Sequence, residues 1–127
     1  MKTFILVLLL SFLSMAQDVD YSGHWSYRGD GASFSLILEQ KGTSVTGKHI
    51  STMLDGQRID AALGDEVTIQ GTIRDGELIV SVLSSYDGGK GKAHLSFVGQ
   101  DSIYFEFVTP PSGEYWIPDK VVLRKLK

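Results

Sequence analysis

From Tyr21 to the C-terminus the apolar residues return every second position, and that period admits strands and little else. In ASFSLILEQ, Phe34, Leu36 and Leu38 point one way, while Ser33, Ser35, Ile37 and Glu39 point the other. AHLSFVG sets Ala93, Leu95 and Phe97 against His94, Ser96 and Val98, and SIYFEFV sets Ile103, Phe105 and Phe107 against Tyr104, Glu106 and Val108. Turn residues separate these runs. Asp-Gly occurs at 30–31, 55–56, 75–76 and 87–88, with Lys41-Gly42 and Gly99-Gln100-Asp101 as further turns. Asp-Gly suits the two-residue type I′ hairpin, whose two central residues both take positive φ. The pattern predicts strands over 22–28, 32–40, 44–51, 66–74, 77–84, 91–98, 102–108 and 120–126, with a short one at 57–62.

About eight short antiparallel strands in sequence order predict an all-β fold, a single antiparallel up-and-down barrel or closed meander. Closure also removes the exposed edge strands that would invite aggregation. Nothing divides 17–127 into smaller domains. The chain has no Cys, so burial and strand pairing must hold the fold alone.

The N-terminus carries a different signal. Lys2 precedes an apolar run from Phe4 to Leu13, and Ser14-Met15-Ala16 places small residues at a cleavage site. This reads as a secretory signal peptide over 1–16, with a mature chain beginning at Gln17 that is secreted or periplasmic. The run is too short to span the roughly 30 Å of bilayer hydrocarbon, so no membrane insertion is expected after cleavage. Removing Lys2 leaves 11 basic against 15 acidic residues, a formal charge of −4. That balance argues against nucleic acid as a partner.

Two features together resemble the calycin superfamily of lipocalin-like and avidin-like barrels. One is Gly23-His24-Trp25 leading into FSLILEQKGTSVTG; the other is Arg124 in the last strand. The resemblance implies that Trp25 closes one barrel end beneath the Arg124 guanidinium, a structural cation–π lid. It also leaves open a small apolar ligand inside the barrel, although the inward Phe, Leu, Ile and Val could fill a small barrel themselves. Separately, Ser112-Gly113-Glu114-Tyr115 resembles the S-G-x-Y loop motif of periplasmic lysozyme inhibitors. Ser22-Gly23-His24-Trp25 repeats the Ser-Gly-x-aromatic pattern elsewhere in this chain. The VTG hairpin, Gly56 to Asp60 and the late P-x-G-E-Y segment are similar to a group of small exported bacterial proteins, a likeness that implies no activity.

Most catalytic chemistries find no support in the residue spacing. His24, His49 and His94 lie in separate predicted strands without metal-ligand spacing, and are expected to face solvent or to make single hydrogen bonds. Asp30, Asp55, Asp75 and Asp87 belong to turns, and Arg58-Ile59-Asp60 reads as a polar loop entering a strand. No G-x-S-x-G elbow is present, and the Gly-rich YDGGKGKA (86–93) lacks the pattern of a phosphate loop. The expectation is a monomeric, non-enzymatic binding protein that needs no cofactor or metal. Its most informative stretch is PPSGEYWIP (110–118). There Pro110 and Pro111 stiffen the backbone, and Ser112, Gly113, Glu114, Tyr115 and Trp116 would meet a protein partner. A carrier of a small apolar ligand, an inhibitor of a lysozyme-like peptidoglycan hydrolase, and a hydrolase using His with carboxylates are the alternatives.

Overall fold

A computed structural model describes Val19–Lys127; the expected leader and cleavage site lie outside the described residues. Nine strands follow in order: β1 Gly23–Gly29, β2 Ala32–Lys41, β3 Ser44–Met53, β4 Arg58–Ala61, β5 Ile69–Arg74, β6 Glu77–Leu83, β7 Lys90–Gly99, β8 Ser102–Thr109 and β9 Lys120–Lys125. Neighbours pair antiparallel around the ring β1-β2-β3-β5-β6-β7-β8-β9, and β1 meets β9 to close it. The result is the expected up-and-down barrel of eight closing strands, a form compatible with the calycin-like pattern. The closing pair is short, matching Trp25 with Lys125 and Ser26 with Arg124.

Two Asp-Gly steps make the predicted hairpins. Asp30 and Gly31 have φ of 53° and 74° between paired Gly29 and Ala32, and Asp75 and Gly76 have 55° and 82° between Arg74 and Glu77. The inward positions of the three alternating runs are buried or half-buried as expected, with Phe34, Leu36, Ala93, Leu95, Ile103 and Phe105 fully enclosed. Sixteen apolar residues form one continuous buried cluster, so the barrel is filled by its own side chains.

The ninth strand, β4, arises from an interruption. β3 pairs with β4 from Ile50↔Ala61 and with β5 from Gly47↔Ile69. Along that edge β3 advances three residues while the facing chain advances eight, which extrudes five residues. β4 and β5 are therefore two halves of one strand, separated by an excursion around 62–67. The predicted strand start at 66 falls inside this excursion, and β5 begins only at Ile69.

Strand direction assigns the turns to two ends. One end collects the N-terminal segment 19–22 and the turns at 42–43, 75–76 and 100–101. The other collects the turns at 30–31, 54–57 and 84–89 and the long connection 110–118. We call these the base and the mouth.

At the base, Tyr21 and Trp25 are fully buried and meet Phe97, with ring centroids 4.7 Å and 5.8 Å away. The Trp25 indole N–H donates to the Tyr21 carbonyl at 2.9 Å, and the Tyr21 hydroxyl donates to the Gly76 carbonyl at 2.8 Å. Burial, reinforced by the Glu77 charge, pushes the Tyr21 phenol up to about 12. The Gln40 side chain accepts from the Tyr21 amide and donates to the Val19 carbonyl, which straps the N-terminal segment across the opening.

The cation over Trp25 is Lys125, whose Nζ stands 5.5 Å from the ring centroid. This corrects the expected pairing with Arg124. Successive strand residues face opposite sides, and Lys125 shares register with inward Trp25, while Arg124 sits opposite outward Ser26 and is exposed.

Candidate functional site

The mouth is organised by residues whose polarity breaks the inward apolar pattern. On β3 the inward positions run Val45, Gly47, His49 and Ser51; on β4 the inward position is Asp60. His49, Ser51 and Asp60 are fully buried, with Thr68 and Ser84 almost so.

Interruption of the strand explains why His49 and Thr68 belong there. Where β3 passes the excursion, the His49 carbonyl is met by the Ala62 amide at 3.0 Å, but the His49 amide has no main-chain partner from β5. The Thr68 hydroxyl accepts from it at 3.1 Å and lies 2.7 Å from His49 Nδ1. One hydroxyl can do both if it donates to Nδ1, which leaves the proton of the ring on Nε2. That nitrogen then donates to Asp60 Oδ1 at 2.9 Å.

Asp60 is the hub. Oδ1 also accepts from the Ser85 amide at 2.9 Å and the Ser85 hydroxyl at 3.2 Å. Oδ2 accepts from the Ser84 hydroxyl at 2.6 Å and from the Trp116 amide at 3.0 Å. Burial alone would push this carboxyl up. The bonds from His49, Ser84, Ser85 and Trp116 outweigh that effect and hold it well below the usual carboxylate range. Five donors converge on two oxygens, so neither a carboxylic proton nor an amide NH₂ fits without facing a donor.

This cluster corrects two expectations. His49 is neither solvent-facing nor singly bonded, and Asp60, on the short strand expected over 57–62, is a buried inward residue instead of a polar position at the strand's entry. Thr68, His49 and Asp60 stand in a hydroxyl–imidazole–carboxylate row, yet they are 3%, 0% and 0% exposed, and every buried side-chain polar atom described has a partner. The row functions as a tie. Through it Asp60 links β4, β3, the 84–85 turn and the 110–118 connection, on the stretch of wall where the strand break leaves β4 without a ladder to β6.

The 110–118 segment crosses the mouth above this tie. Pro111 and Ile117 are buried, Tyr115 and Trp116 are half-buried, and Ser112, Gly113 and Glu114 form an exposed tip. The Ser51 hydroxyl donates to the Trp116 carbonyl at 2.6 Å, so the peptide groups on both sides of Trp116 are held by inward side chains. The Asp87 carboxylate accepts from the Glu114 amide at 2.7 Å. Gly113 has φ +79°, and a Cβ there would come within 2.6 Å of Asp87 Oδ2, so both conformation and space require glycine.

The aromatic pair divides its roles. Tyr115 meets Phe107 edge-on at 5.7 Å, extending the row Phe34–Phe105–Phe107 to the surface. Its hydroxyl donates to Asp119 at 2.6 Å; that acceptor, with burial and the Asp119 charge, pushes the phenol up to about 12. The Trp116 indole N–H donates to Glu114 at 2.6 Å, and the Arg58 guanidinium lies 5.6 Å from its ring. Thus the predicted Ser112–Trp116 set is contiguous at the mouth, whereas Trp25 and Arg124 lie elsewhere, and His24 and His94 take no part. His94 pairs instead with Glu77 on the outer wall at 3.1 Å.

Sequence reasoning missed His49, Asp60, Thr68, Ser84 and Ser51. The available signal was their register: a His and an Asp at positions where alternation calls for apolar side chains. Among the described residues no group of three or more His, Asp or Glu is arranged to hold a metal ion. No protein-family model, curated protein or solved structure matches the chain.

Proposed function

We propose that this is an exported, monomeric, non-enzymatic binding protein that engages a protein partner through its mouth, with Trp116 and Tyr115 as anchors and Ser112–Glu114 as the tip. One observation carries the reading: the Trp116 ring is half-exposed on a main chain fixed from both sides by Ser51 and Asp60. An aromatic side chain held in one orientation loses little entropy on docking, and Trp and Tyr are enriched where binding energy concentrates. The non-enzymatic part is supported by the burial of the Thr68–His49–Asp60 row, the one His–carboxylate–hydroxyl row among the described residues. Export rests on the apolar N-terminal run and the Ser14-Met15-Ala16 step.

A lysozyme-type peptidoglycan hydrolase is the finer candidate partner, favoured by exposure of Ser112, Gly113 and Glu114 at the tip. The apolar-carrier reading has no comparable support, since side chains occupy the interior. A photo-crosslinking residue at position 112 on the tip, compared with one at Lys41 on the base, tests the proposal in the exporting cell. A discrete adduct is expected from 112 alone, and it should vanish in Tyr115→Ala. Equal adducts from both positions, or none, would overturn it. Inhibition of a purified lysozyme, lost in the same variant, decides the finer reading.

A further inference from the structure

Although 110–118 closes the mouth, none of its main-chain groups pairs with another main chain among the described residues. Its neighbours β8 and β9 are laddered; the segment between them is not. What holds it are three side-chain bonds from elsewhere: Ser51 to the Trp116 carbonyl, and the Trp116 and Glu114 amides to Asp60 and Asp87. Ile117 adds a buried plug, at 2% exposure. Pro110 and Pro118 flank the segment, one on each side, and resist its incorporation into β8 or β9 because proline supplies no N–H to a ladder.

Beneath it the wall has the same character. Between β4 and the 84–85 turn, contact runs through Asp60, Ser84, Ser85 and the bond from the Ala61 amide to the Ser85 hydroxyl. Asp60 is common to both junctions. From this convergence we infer that 110–118 is a strap that opens as a unit while the barrel stays closed, and that Asp60 is its latch. Local openings of this kind draw on the least-laddered parts of a fold.

The consequence for binding rests on the function proposed above. With the strap latched, Trp116 is fixed between Glu114 and Arg58; unlatched, the ring is free and the anchor is no longer preorganised. A partner that binds the latched form therefore gains affinity in proportion to the fraction latched. The partner's contacts and the latch are separate claims with separate tests. Crosslinking probes the first, and the second needs no partner at all.

Native-state hydrogen exchange on the purified chain, with increasing sub-denaturing guanidinium, provides the test. The Trp116 and Glu114 amides should exchange through an opening that is lower in free energy and nearly insensitive to denaturant, while amides of β2 and β9 follow the steep global slope. Ser51→Ala should speed exchange at 114 and 116 about tenfold, in line with loss of one hydrogen bond, and leave β1, β2 and β9 unchanged. Asp60→Asn should do so more strongly. If Trp116 shares the free energy and slope of the core amides, or if Ser51→Ala raises exchange uniformly, the strap is part of the global unit and the inference fails.

Discussion

The base and the mouth solve one problem, closing a small barrel, with opposite materials. At the base a fully buried Tyr21–Trp25–Phe97 cluster does it with ring surface, and its polar atoms bond mainly to nearby backbone. At the mouth a buried carboxylate gathers five donors from three separate stretches of chain. Apolar closure is non-directional and degrades gradually when trimmed. Closure through a charge is directional, and loss of one partner leaves others buried and unsatisfied.

The largest effects should come from removing each centre. Trp25→Ala is expected to cost about 3–5 kcal/mol through lost burial and the cavity left behind, seen as a lower denaturation midpoint with every region affected. Asp60→Asn should cost about 3 kcal/mol or more, because its amide NH₂ faces buried donors and leaves them unsatisfied. Its damage should concentrate at the mouth, visible as altered Trp116 fluorescence with Trp25 signals retained. If the two variants disturb the same residues, the ends are not independent.

Acid provides a reagent that discriminates between them. Asp60 has a folded-state pKa below its ordinary value of 3.8, so its contribution is present above that value and is lost as pH falls through the folded-state pKa. Below pH 3.8, NMR signals of Trp116, Ser84 and Ser85 should shift before those of Trp25 and Phe97. Simultaneous shifts would count against the contrast. Alkali acts on both ends: Tyr21 at the base and Tyr115 at the mouth, each raised to about 12, support the fold below pH 10 and withdraw that support as pH passes through 12.

Smaller changes sharpen the picture. Gly113→Ala should cost about 1–2 kcal/mol, because it combines a positive φ with a clash against Asp87. Lys125→Ala should cost on the order of 1 kcal/mol from the lost cation–π and stem contacts, whereas Arg124→Ala should stay within about 0.5 kcal/mol. Denaturant titration of this pair decides which cation covers Trp25.

The barrel was legible in the sequence because strand period and Asp-Gly turns are local signals, and each alternating run buries the face it predicts. The strand break at 62–67 was not, since Glu66-Val67-Thr68-Ile69 continues the alternation although Thr68 serves as a side-chain bridge. PPSGEYWIP was visible as a proline-flanked aromatic loop. Its anchorage was hidden because His49, Asp60, Thr68 and Ser84 are spread over 36 residues and meet only when the ring closes. Arg124 and Lys125 differ only by a one-residue register that the sequence does not carry and that pairing with Trp25 supplies.

The junction of β1 with β9 bears on how the protein is made. These strands meet through residues 25–26 and 124–125, which joins the first and last of the described strands. A chain that emerges N-terminus first can lay down the hairpins from β1 to β8 in turn, yet both outer edges stay unpaired until the final strand arrives. Arrival of β9 is therefore itself a folding step, and a chain truncated within β9 should persist as an open, sticky sheet.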